Sequence, residues 1–253
     1  MLLPSSVLIT GASSGIGRAL ALAYAKPSVH LALSGRNEQR LKSIVHACAD
    51  AGSRVDYEIL DVTNKDDVRT WVTDVDKSAP LDLVIANAGI SGGTGGGSET
   101  ENQARMILET NINGTLNTVF PAADRMRTRK NGQIALVSSL ASFRGLVGAP
   151  AYSASKAAVR TYGEALRGAL QDDGIGVSVI CPGFVESRMT AGNKYKMPFL
   201  MSAERAAGII QRGVAHNEAR IAFPFPTYFL SWFLGSLPPG FTDPLFRILP
   251  KKK

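Results

Sequence analysis

The chain has 253 residues, 45% of them apolar and 19% charged, which excludes a disordered protein and suits one domain or two small ones. Its two cysteines, Cys48 and Cys181, lack metal-ligand spacing and argue against both a disulfide framework and a metal site; two buried thiols in a reducing compartment are expected. The net charge of +7 is expected to reflect a solvated face and a solubilising tail, with an anionic membrane or anionic substrate as the alternative. No aromatic residue interleaves the basic runs at 125–130 and Lys251-Lys252-Lys253, so nucleic-acid binding is not expected.

The first ten residues lack a basic segment followed by a long apolar one, and read as a strand instead of a signal peptide. Short runs rich in β-branched residues predict strands at 7–10, 29–33, 54–60, 83–87, 133–138, 176–180 and 220–223. Helical patterns fall between them at 15–25, 38–51, 65–77, 100–127, 152–171 and 203–216. This alternation predicts an α/β fold: a Rossmann-like, doubly wound parallel sheet of about seven strands with helices on both faces. Residues 1–223 read as a single dinucleotide-binding and catalytic domain, and 224–253 as an apolar C-terminal extension with a basic tail.

Two stretches break the rhythm. Residues 91–98 are glycine-rich and read as a surface loop. The extension begins as an aromatic, proline-broken run, too short to cross a bilayer. It has three readings: a segment that packs on the domain or lids the substrate pocket, a dimer contact, or a segment lying on a membrane.

The turn Thr10-Gly11-Ala12-Ser13-Ser14-Gly15-Ile16-Gly17 follows a strand and opens a helix. Glycines permit the tight turn and a close backbone approach, and the helix N-terminus offers free N–H groups to a pyrophosphate. The second strand runs into Gly35-Arg36-Asn37, with no acid before Glu38. An acid there would hold a ribose 2′-hydroxyl and repel a 2′-phosphate, whereas an arginine grips the phosphate. NADP(H) is therefore expected in preference to NAD(H).

Tyr152 and Lys156 are four apart, on one face of a helix. The nearby ammonium is expected to lower the tyrosine pKa and make it a proton donor and acceptor near neutral pH.

With these motifs in place, the chain resembles the short-chain dehydrogenase/reductase family in its single-domain branch, from about residue 7 to about residue 190. The family's TGxxxGxG matches Thr10 to Gly17, and its YxxxK matches Tyr152 and Lys156. Its remaining motifs match Asp61 with Val62, Asn87-Ala88-Gly89, Asn111, Ser139, and Pro182-Gly183 with Val185. The resemblance implies a cofactor site made by Gly11, Ser13, Ser14, Gly15, Ile16, Gly17, Arg36, Asp61, Val62, Asn87, Ala88, Gly89, Tyr152, Lys156, Pro182, Gly183 and Val185. It implies catalysis by Ser139, Tyr152, Lys156 and Asn111, the last positioning a water that links the lysine to solvent. Ser138 competes with Ser139, but the separation from Tyr152 in the family favours Ser139, and alternation lets only one of the two face the cofactor.

The implied reaction is hydride transfer to or from a carbonyl or carbinol carbon. The apolar-rich loop at 184–201 is expected to select an apolar or lipid-like ketone, aldehyde or alcohol. An NAD-dependent alcohol dehydrogenase and a catalytically idle NADP(H)-binding sensor are the alternatives. The glycine-rich C-terminal signature that supports tetramers in the family is missing, so a homodimer is expected. The expected location is cytoplasmic, with peripheral membrane association as a variant of it.

Overall fold

The computed structural model describes residues 4–92, 99–193 and 196–248. Most of the glycine-rich stretch, Tyr195 and the three terminal lysines lie outside the described residues. Seven strands form one sheet: β1 (Ser6–Ile9), β2 (His30–Gly35), β3 (Arg54–Ile59), β4 (Leu83–Ala86), β5 (Gly132–Val137), β6 (Ile175–Pro182) and β7 (Arg220–Phe223). Their order is β3-β2-β1-β4-β5-β6-β7, and every neighbouring pair is parallel. The doubly wound sheet expected from the alternation is the observed fold.

Among the described residues ten α-helices connect and cover the strands: α1 (Gly15–Tyr24), α2 (Glu38–Asp50), α3 (Lys65–Ser78), α4 (Glu101–Leu108), α5 (Gly114–Arg129), α6 (Pro150–Ala169), α7 (Arg188–Ala191), α8 (Ala203–Ala215), α9 (Phe225–Ser236) and α10 (Pro239–Ile248). Alternation along β1 shows how the sheet divides the core. Val7 and Ile9 pack with Leu20 of α1, Leu41 of α2 and Ile210 of α8. Leu8, between them, packs on the other face with Val72 of α3, Ala122 of α5 and Val159 of α6. Both faces are covered, so Val7, Leu8 and Ile9 of β1 read as an unbroken apolar run. Each fully buried leucine of this set, such as Leu8 or Leu33, contributes roughly 2 kcal/mol.

Two expectations are corrected. The single helix expected at 100–127 is two helices joined by a π-helical turn, Glu109–Asn113. The wider turn carries Asn111, whose amide is fully buried against the backbone of Ile90, so a tertiary contact holds what helix propensity alone would not. The extension, for which no helix was expected, forms two helices: Pro224 caps α9 and Pro226 lies in its first turn, the chain breaks at Leu237-Pro238, Pro239 opens α10 and Pro244 lies within it. The missing N–H of a proline costs nothing in a first turn.

Strand order reverses between β1 and β4, and loops from the two halves part at that point. The carboxyl ends of the strands there form the floor of a cleft.

Candidate active site

The cleft has a volume of about 1070 Å³. At one end lies the turn after β1. Gly11 holds φ at +68°, and a Cβ there would sit 2.8 Å from the Ala88 Cα, so only glycine fits. Asn87 ties this turn to the end of β4: its side-chain amide donates to the Thr10 and Gly11 carbonyls at 2.9 and 3.2 Å. The Thr10 hydroxyl in turn accepts from the backbone N–H groups of Asn87 and Ala88, each at 3.1 Å. Ser14 precedes α1 without capping it through its side chain, which leaves N–H groups of the first turn directed at the cleft.

Gly11, Ser13, Ser14, Gly15, Ile16, Arg36, Asp61, Val62, Asn87, Ala88, Gly89, Tyr152, Lys156, Pro182, Gly183 and Val185 all line the cleft. Gly17 does not line it; it sits behind the turn, against the Asn87 amide and the Gly11 carbonyl.

Arg36, at the end of β2, reaches Asp61 at 3.5 Å. Burial opposes the charged form of Asp61, but hydrogen bonds from Thr63 and the Arg36 guanidinium hold its pKa below the usual carboxylate value. The ion pair is exposed and contributes at most about 1 kcal/mol. Arg40, which sequence reasoning missed, also lines this end, and its buried Nε makes no hydrogen bond. Its place in the first turn of α2, just past the end of β2, was the available signal.

At the other end, Ser139, Tyr152 and Lys156 come together. Ser138 and Ser139 follow β5, and Ser138 donates to the Lys156 carbonyl at 2.7 Å, packing the strand end against α6. The Ser139 hydroxyl accepts from the Ala141 N–H at 3.1 Å and hydrogen-bonds Tyr152. Lys156 donates to the Val137 carbonyl at 2.9 Å, with its ammonium 5.8 Å from the centre of the Tyr152 ring.

The expected lowering of the tyrosine pKa is not what the structure supports. Removal of the phenol from bulk water raises the Tyr152 pKa, and the Ser139 hydrogen bond is the group acting in the opposite direction. Lys156 is buried too, and desolvation lowers its own pKa to about 8, with Cys181 acting the other way.

Asn111 lies behind this cluster, outside the cleft lining. Its Oδ1 accepts from the Ile90 N–H at 2.8 Å, and its Nδ2 donates to the Ile90 carbonyl and to Ser155, each at 2.9 Å. A Cβ added at Gly89 would lie 3.1 Å from Asn111 Oδ1 and 3.2 Å from Lys156 Nζ, so these two residues approach each other across Gly89.

The outer walls mix apolar side chains with Thr190, Asn193, Lys196, Thr227 and Ser231. Phe184, Met189 and Pro198 come from the loop at 184–201, while Phe199 of that loop faces solvent, 59% exposed. The remaining wall comes from the C-terminal helices: Thr227, Leu230, Ser231 and Leu234 of α9, and Phe246 of α10. Their spacing in α9 is that of one helix face, which the sequence reading did not predict as a helix. Arg144, on the loop after Ser139, was also missed; it bonds Thr242 at 3.2 Å and Asp243 at 2.6 Å and lies over the Phe246 ring.

A parallel sheet with a glycine turn at its switch point, and a serine, a tyrosine and a lysine at the far end of the same cleft, define a doubly wound dinucleotide-binding oxidoreductase. The model of the short chain dehydrogenase family matches residues 5–197, and the chain belongs to that family. It is 41% identical over 221 residues to an uncharacterized oxidoreductase of Myxococcus xanthus, covering 87% of each chain. A 3beta-hydroxysteroid dehydrogenase of Mediterraneibacter gnavus is 31% identical over 243 residues, 94% of this chain and 80% of that one. A short chain dehydrogenase from Mycobacterium paratuberculosis bound to NAD has the same fold, with a TM-score of 0.75 at 24% identity over 86% of this chain and 94% of that one.

Proposed function

We propose that this protein is an NADP(H)-dependent reductase or dehydrogenase acting on an apolar or lipid-like ketone, aldehyde or alcohol. The observation that carries the reading is the placement of Ser139, Tyr152 and Lys156 at one end of a cleft whose other end holds Arg36 and Arg40. The donor set fits a dinucleotide. The glycine turn and the first turn of α1 would hold the pyrophosphate, and the unpartnered Arg40 Nε and Arg36 suit a 2′-phosphate. Asp61 and Val62 would meet the adenine, and Pro182, Gly183 and Val185 the nicotinamide end. NADP is our reading; the NAD-bound structure, at 24% identity, bears on the fold alone.

When bound, the nicotinamide supplies or accepts the hydride. Tyr152 gives its proton to the oxygen that becomes an alkoxide during reduction. Ser139 hydrogen-bonds that oxygen and holds the phenol in place. Lys156, with a pKa near 8, is able to return a proton to Tyr152 at neutral pH and would hold the ribose hydroxyls. Asn111 fixes the backbone beside the lysine, where a water would connect it to solvent. The wall made by Leu230, Leu234 and Phe246 favours an apolar substrate, and the steroid substrate named for the Mediterraneibacter relative is of that class. We read 1–223 as the catalytic domain, 224–253 as its lid, and the protein as a cytoplasmic homodimer.

The test is loss of NADPH absorbance with ketones and aldehydes graded by length and polarity. Turnover should rise with apolar length. Tyr152→Phe should lower it by roughly three orders of magnitude while NADPH affinity stays within a few-fold. Retained turnover in that variant refutes the assignment.

A further inference from the structure

Helix α9 is apolar on two opposite faces. Leu230 and Leu234 face the cleft. Half a turn away, Phe225, Phe229, Trp232 and Phe233 are 71%, 52%, 45% and 46% exposed. The rings of Phe225, Phe229 and Phe233 stack in a ladder with centroids 6.2 and 6.3 Å apart. None of the 12 residues of α9 is charged, and α10 adds Phe241, 80% exposed. A helix apolar all round is normally covered on all sides.

Charge indicates what covers it. Asp243 of α10 is paired with Arg144 at 2.6 Å. After α10 the sequence runs Leu249-Pro250-Lys251-Lys252-Lys253, so three ammonium groups follow the helix within about 18 Å of chain. In a two-fold dimer through this face the patch would meet its own copy, which offers the lysines no free acid, since α9 is uncharged and Asp243 is paired. An anionic lipid surface supplies the opposite charge and an apolar layer together. No helix among the described residues is long and apolar enough to cross a membrane, so the helices would lie in the interface.

We propose that the outer face of α9 and α10 docks on an anionic lipid surface, with Phe229, Trp232 and Phe233 entering the acyl boundary and the terminal lysines meeting lipid phosphates. The cleft wall formed by the opposite face of α9 then stands next to the bilayer. The inference does not depend on the oxidoreductase reading, because its readout needs no turnover.

The full chain is floated with vesicles of phosphatidylcholine plus phosphatidylglycerol, and with vesicles of phosphatidylcholine alone. Tryptophan emission is followed in parallel. The chain has two tryptophans and Trp71 is buried in the core, so a change in emission reports Trp232. We expect flotation and a blue shift with the anionic vesicles. Binding should fall at least tenfold with Phe229→Ser plus Phe233→Ser, and similarly with Lys251, Lys252 and Lys253 all changed to Gln. Neither aromatic lines the cleft, and unchanged thermal unfolding of the double variant shows that it is folded. Failure of the wild type to float on anionic vesicles overturns the proposal, as does equal flotation of the double variant. Light scattering that shows a dimer converted to monomer by the double variant, with no vesicle binding, assigns the face to a second copy instead.

Discussion

The hydroxyl of Ser138 donates to the carbonyl of Lys156 at 2.7 Å, and this bond separates the roles of two adjacent serines. Ser138 fastens the end of β5 to α6, whereas Ser139, on the other side of the strand end, is left to meet Tyr152. Ser138→Ala should therefore cost about 1 kcal/mol of stability with turnover nearly unchanged. Ser139→Ala should leave stability intact and lower turnover roughly 100-fold. Urea unfolding and steady-state kinetics on the two variants check this, and equal losses of turnover would refute the division.

Lys156 should leave a signature in the pH dependence of stability. Its pKa is about 8 in the folded chain because it is buried, against about 10.4 when unfolded. Between those values the unfolded chain binds the extra proton, so this group makes stability rise with pH. Below the window both states are charged and the fold carries the full cost of burying the ammonium, about 3 kcal/mol. Urea unfolding of the wild type and Lys156→Met at about pH 7 and about pH 9.5 should show the wild type gaining about 2 kcal/mol on the variant. A difference that does not change with pH would refute this assignment.

Arg36 and Arg40 line the same end of the cleft, and the Nε of Arg40 is buried without a partner. If both meet a 2′-phosphate, Arg36→Ala and Arg40→Ala should each weaken NADPH binding by roughly 10-fold to 100-fold. NADH binding should change little, because NADH lacks the phosphate. Calorimetric titration with both dinucleotides distinguishes the outcomes, and an equal loss for NADH would remove the phosphate reading.

Arg144 fastens α10 to the loop that follows Ser139 through Thr242, Asp243 and the Phe246 ring. The ion pair is partly exposed and worth less than about 1 kcal/mol, and the ring contact adds a similar amount. Arg144→Ala should raise KM about 5-fold for long apolar substrates and leave kcat and short substrates unaffected. An equal change in kcat for short substrates would place Arg144 in the chemistry and not in the wall.

The glycine turn, Arg36, and the Tyr152 and Lys156 pair were legible because each depends on neighbours within a turn or two of chain. Strand positions were legible for the same reason: two-sided burial writes itself into residues 7–9 of β1 and into β4 as continuous apolar runs. The π-helical turn at Glu109–Asn113 was not, because what stabilises it is the backbone of Ile90, about 20 residues away. The direction of the Tyr152 shift was misjudged because spacing reports that two groups are close but says nothing about how much water they have lost.

The sequence alone determined the doubly wound sheet, the order of its motifs and the chemistry that its side chains make available, since these follow from local periodicity and residue type. Tertiary structure decided which serine hydroxyl meets the tyrosine, that Arg40 joins Arg36, and that α9 turns one face to the cleft and the other to the outside. Those outcomes rest on contacts between segments distant in the chain, and on desolvation, which has no value until the chain has folded around the group.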